Sequence, residues 1–187
     1  MVVSLSKKSG KGISDRQVSE LTALFTVKPG HAEQLRAAVH RMGEATNHLD
    51  PQNRQRVGLR ELRLALFDDD QRFLWCTSFE TDWDPYIEDA VTYIGVDIFV
   101  DFLQHLVEYP YPEGSPASVS SAEVKALLQS RQVQATWFHD VFGSKTMAEI
   151  IKALNVEQAF QQVLDDPEAA QALQHPAMKP LLEQAAD

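Results

Sequence analysis

The stretch "GLRELRLALFDDDQRFLWCTSFE", residues 58–80, constrains the fold more than any other part of the chain. Two runs with strand periodicity are separated only by Asp68, Asp69 and Asp70. In the first run, Leu62, Leu64 and Leu66 fall on one face, and Glu61, Arg63, Ala65 and Phe67 on the other. In the second, Phe73, Trp75 and Phe79 share a face. Alternation at period two with a short polar break predicts an antiparallel hairpin. A hairpin does not fold alone, so its apolar face needs a covering layer.

The flanking segments supply that layer. "ELTALFTVK" (20–28) alternates as a strand, Pro29-Gly30 ends it, and residues 31–49 carry Leu35, Ala38, Val39 and Met42 at helical spacing. "DPQNRQRV" (50–57) reads as a polar loop. Residues 84–109 are helical, opened by an Asp84 cap and Pro85 and broken at Gly95; Trp83 lies at the entry between Asp82 and Asp84. A Pro-, Gly- and Ser-rich linker (110–120) follows, then a helix capped by Ser121. "QVQATWFHDVF" (132–142) has the β-branched and aromatic content of a fourth strand. From Ser144 the chain is helical, with new starts at Asp166-Pro167 and His175-Pro176. The order predicts an α+β fold with a ferredoxin-like βαββαβ antiparallel sheet and a C-terminal helical extension. Such a sheet has one face bare, which implies a homodimer.

Composition bounds the function. The 187 residues are 44% hydrophobic and 24% charged, ordinary globular values, with a net charge of −10 that disfavours nucleic acid as a partner. Residues 1–19 depart from this: Lys7, Lys8, Lys11 and Arg16 against Asp15 leave +3, and the segment reads as a disordered basic arm or a basic docking tail. The expected organisation is thus an arm (1–19), an α+β domain (20–143) and a helical extension (144–187). The arm has no apolar run for a signal or a membrane span, so no membrane insertion is expected. Cys76 is the single cysteine, which excludes an intrachain disulfide and fits a cytoplasmic location, with the thiol expected in the core. There is no Gly-rich phosphate loop, zinc-type Cys/His spacing or nucleophile elbow.

The stretches "FLWCTSFETDWDPYIEDAV", "FLQHLVEYP" and "VQATWFHDVFGSKTMAEIIKALNVEQAFQQVLD" resemble a group of bacterial proteins of the dimeric α+β barrel superfamily, over roughly residues 20–165. That superfamily includes cofactor-free monooxygenases and haem enzymes, so the resemblance implies the barrel fold and a pocket between sheet and helices. It does not imply one activity. It departs at "RELR" (60–63), where only Arg63 of the usual motif is kept, and at Leu106-Val107-Glu108.

Through the resemblance, His105 becomes the candidate haem ligand, on a helix facing the sheet, with Arg63 placed for a propionate or an acidic ligand. The alternative for His105 is a hydrogen-bonded histidine on a half-buried helix face. Glu61 and Arg63 either line the pocket or pair with each other. Trp75 is core or pocket wall, and Tyr109 and His139 complete the candidate substrate pocket. His40, Glu44 and His48 share a helix face, but the outer two are about 12 Å apart along the axis, too far for one metal ion. The expected function is small-molecule binding in an α+β barrel, as an oxidoreductase or monooxygenase-like enzyme that could use haem. The alternative is a non-catalytic interaction module working through the helical tail.

Overall fold

The computed structural model describes residues 12–112 and 119–185. The chain divides into two compact units, one ending at Met147 and the other running Ala148–Asp187.

The first unit is an open antiparallel sheet covered on one face by helices. Its strands are β1 (Ser14–Asp15), β2 (Val18–Thr26), β3 (Leu59–Phe67), β4 (Arg72–Phe79) and β5 (Gln132–Val133), in the order β1-β2-β4-β3, with β5 pairing β2 beside β1. The predicted hairpin is β3–β4, with Leu64 opposite Trp75 and Leu66 opposite Phe73. Its turn places Asp68, Asp69 and Asp70 at φ of 57°, 50° and 63°. Aspartate tolerates this left-handed region because its short side chain can satisfy nearby backbone groups.

The helices are α1 (Ala32–Asn47), α2 (Pro51–Val57), α3 (Trp83–Ile94), α4 (Val96–Leu103) and α5 (Ser121–Arg131). Odd positions of β2 (Leu21, Ala23, Phe25) meet Phe73, Trp75 and Phe79 of β4, Leu35, Ala38 and Met42 of α1, and Ile87, Phe99 and Phe102 of α3 and α4. Trp75 packs against Phe99 and Phe102 at 5.6 and 5.2 Å between ring centres. Each of the buried Leu, Ile, Met and Phe side chains contributes about 1.5–3 kcal/mol.

The opposite face is half-buried and mixed. Thr22, Cys76 and Arg63 form one cross-strand row, Leu24, Leu74 and Ala65 the next, and Thr26, Arg72 and Phe67 the last. Cys76 therefore lies outside the core, 3.7 Å from the Thr22 hydroxyl.

Several expectations need correction. Residues 12–19 are ordered against the sheet as β1, a turn at Arg16-Gln17 and the start of β2, with Ile13 and Val18 buried; residues 1–11 of the expected arm lie outside the described residues. Residues 50–57 form α2 instead of a loop, because the Asp50 carboxylate caps Gln52 N–H, Pro51 fits the first turn and Gly58 closes it at φ 66°. The cap of α3 is Asp82, not Asp84, and α4 ends at Leu103 instead of Tyr109. Ser120, not Ser121, caps α5. The strand expected over 132–142 stops at Val133: residues 134–146 are held by side chains instead, with Arg60 binding Glu80 at 2.8 Å, Asp140 at 3.0 Å and the Lys145 carbonyl at 2.7 Å.

The second unit contains most of α6 (Met147–Leu164), then α7 (Ala170–Leu173) and α8 (Lys179–Gln184), each preceded by a 3₁₀ turn. None of its described residues is buried, and Val156, Phe160 and Leu181 line a groove of about 600 Å³. No described helix is long and apolar enough to cross a membrane.

Candidate functional site

The site is built where α4 hands over to α5. Gly95, at φ 108°, ends α3 and lets α4 start at a new angle. The chain leaves α4 through a tight turn, in which Tyr109 N–H donates to Leu106 O at 3.1 Å. Tyr109 then lines one cavity with Val124 and Leu127 of α5.

Helix α5 begins with a capping box. Glu123 N–H donates to the Ser120 hydroxyl at 3.3 Å, and Glu123 Oε2 accepts from Ser120 N–H at 2.7 Å. Glu123 Oε1 accepts from the Tyr111 hydroxyl. These donors hold the Glu123 carboxyl down at about 2, with Tyr111 the largest cause and the Ser120 backbone and hydroxyl next. Donation to that carboxylate raises the Tyr111 phenol in turn.

Between these elements lies a cavity of about 190 Å³, walled by Leu103, Tyr109, Pro110, Val119, Val124 and Leu127, with Tyr111 and Glu123 at its polar side. Tyr109 is 5% exposed and meets Tyr111 edge-on at 5.5 Å. Its hydroxyl is buried with no hydrogen-bond partner among the described residues. Burial, followed by the charge of Glu123, raises the Tyr109 phenol, so it stays a protonated donor. The arrangement is an apolar chamber lined by a tyrosine whose buried hydroxyl is uncommitted among the described residues, with a fixed negative charge to one side.

The other sequence candidates are scattered. His105 is buried at the end of α4, where its carbonyl accepts from Lys28 N–H at 2.9 Å. Its Nδ1 lies 3.1 Å from Nδ1 of His31, the residue before α1. The ring centres are 5.4 Å apart, which is the nitrogen separation plus a ring radius at each end. The two lone-pair directions are therefore collinear, and one nitrogen donates while the other accepts. That geometry shares a proton; it does not converge on a third atom.

Arg63 projects from the face that the helices leave uncovered and pairs with Glu61 at 2.8 Å, both exposed. It does not meet His105. Trp75 is core. His139 bonds Asp15 at 2.8 Å, far along the chain from the Tyr109 chamber and not part of its wall. Of the candidates, only Tyr109 lines this cavity. His40 and His48 are exposed, and no group of three metal-ligating side chains exists among the described residues.

The resemblance would place a porphyrin between sheet and helices. The residues there do not fit one: Phe73, Trp75, Phe99 and Phe102 fill that layer at 0–1% exposure, and Arg63 stands on the other side of the sheet.

Sequence reasoning missed Glu123, Tyr111 and His31. A Ser-x-x-Glu signal was present at Ser120–Glu123, while the contact of Tyr111 with Glu123 and of His31 with His105 spans 12 and 74 positions and has no local mark. No family model, no curated protein and no solved structure matches the chain, so its function has to be argued from this geometry.

Proposed function

We propose that this protein binds a small, neutral, largely apolar molecule in the chamber between α4 and α5. The observation that carries the reading is an apolar cavity lined by Tyr109, whose hydroxyl is buried and has no hydrogen-bond partner among the described residues. A buried hydroxyl without a partner costs roughly 1–3 kcal/mol, and a ligand acceptor would remove that penalty. An apolar cavity of roughly 150 Å³ holds a benzene ring; at about 190 Å³ this one takes a single ring with a short substituent. The ionised Glu123 disfavours an anionic ligand and leaves carbonyl compounds and alcohols.

In the same reading the sheet is a ferredoxin-like βαββαβ sheet, with β2, β3, β4 and the short β5 as its four strands. The row Leu24, Leu74 and Ala65 on the uncovered face then meets a second copy. Light scattering at micromolar concentration would give about twice 21.0 kDa; the mass of one chain would remove the second copy from the reading.

The binding test is calorimetric. Acetophenone should bind about tenfold more tightly than ethylbenzene, the value of one hydrogen bond. Tyr109→Phe should bring the two to equal affinity. Equal affinities in the parent, or no binding of either, would refute the assignment.

A further inference from the structure

The helical unit that begins at Ala148 has no buried side chain among its described residues. A single helix as short as α6 is marginal in water, and a unit as small as Ala148–Asp187 usually needs a staple or a second chain. Helix α6 carries a seam for one. Ala153, Val156 and Phe160 recur at spacings of three and four, which puts them on one side of the helix, and Val163 continues the series. Their common face is visible in the packing: Lys152, Ala153, Val156, Glu157 and Phe160 line one groove of about 600 Å³ together with Leu181 of α8. Val156 is 57% exposed in that groove and Leu181 49%.

The charges beside the seam determine what fits it. In heptad terms Ala153 and Phe160 take position a, and Val156 and Val163 take position d. Lys152 then falls at g and Glu157 at e, on opposite flanks of the seam. Both are exposed, and neither has an ion-pair partner among the described residues. When two such helices run parallel, the g side chain of one meets the e side chain five positions further along the other. Lys152 of each copy then faces Glu157 of the other, and two-fold symmetry makes the pair twice. Run antiparallel, g flanks meet g flanks and e flanks meet e flanks. Lys152 would then look onto Ala159 or another Lys152, and Glu157 onto Ile150 or another Glu157, with no ion pair formed. The helix is complementary to itself in the parallel orientation alone.

We propose that α6 binds α6 of a second copy, side by side and parallel, in the groove bordered by α8. Val156 meets Val156 and Phe160 meets Phe160 along the seam, and the two Lys152–Glu157 pairs set its direction. The contact uses none of the sheet row Leu24, Leu74 and Ala65, so it stands or falls apart from that row.

Cross-linking in the full chain tests partner and orientation together. In a Cys76→Ser background, Val156→Cys should oxidise in air to a covalent dimer, because d positions of parallel helices lie within disulfide reach of each other. Asn155→Cys, on the outer side of α6, should not. Adding Lys152→Glu, or separately Glu157→Lys, to the Val156→Cys chain sets like charges against each other and should slow linking about tenfold at low salt. Mixing those two slow variants restores both opposite-charge pairs, so they should link to each other at the parent rate. A chain that had merely lost its fold would not be rescued by the mixture. Absence of the Val156→Cys link would assign the groove to another partner and overturn the proposal. Equal linking by Asn155→Cys, or no recovery in the mixture, would overturn it as well. A dimeric mass without this link would leave the sheet contact standing and remove this one.

Discussion

A buried hydroxyl without a partner gives Tyr109 a measurable signature even before any ligand is known. In the free protein the group costs stability, so Tyr109→Phe should raise the unfolding free energy in urea by about 1 kcal/mol. A loss of stability would mean that the hydroxyl has a partner. Glu123 gives a second residue-scale signature, in pH. Its carboxyl is held below the ordinary 4.5, at about 2, chiefly by Tyr111. A depressed folded value stabilises above the ordinary value, and that stability is lost as pH falls from 4.5 towards about 2. Glu123→Gln keeps a capping-box side chain but does not titrate, so its stability should fall less steeply than the parent's over that range. Equal slopes would show that the Tyr111 bond is not made in solution. Tyr109 was legible in the sequence as a pocket residue only through its place after His105. Its unsatisfied state depends on how α4, the following turn and α5 meet, which no local pattern encodes.

Among the elements, the strands were the most legible, because alternation at period two survives in any context where one face is buried. Leu21, Ala23 and Phe25, or Phe73 and Trp75, announce their face directly. The failure at 132–142 has a physical cause. β-branched and aromatic content measures fit to a half-buried surface, and here Trp137, Val141 and Phe142 are exposed on a loop held by ions. Arg60 was visible only as a departure from a motif, yet it clasps that loop. Replacing it by Met would leave Glu80 and Asp140 without their cation. Breaking a buried pair from one side costs about 3–5 kcal/mol, so urea denaturation of Arg60→Met should show a loss of that size. A loss under 1 kcal/mol would mean that the loop is held by its backbone contacts alone. Helix α2 was missed for the opposite reason: five of its seven residues are polar, the buried Val57 alone makes no apolar stripe, and its caps define it.

For the molecule as a whole, the packing decides where a ligand can go. The layer between sheet and helices is closed by Phe73, Trp75, Phe99 and Phe102, so the resemblance to a barrel with a central pocket does not carry its cofactor with it. The chamber of Tyr109 lies to the side, under α5. One measurement separates these places directly. In a carbon–proton spectrum of the methyl and aromatic groups, titration with acetophenone should shift Leu103, Tyr109, Val124 and Leu127 and leave Phe73, Trp75 and Phe99 where they are. Shifts confined to the Trp75 layer, or no shift at Tyr109, would contradict the account.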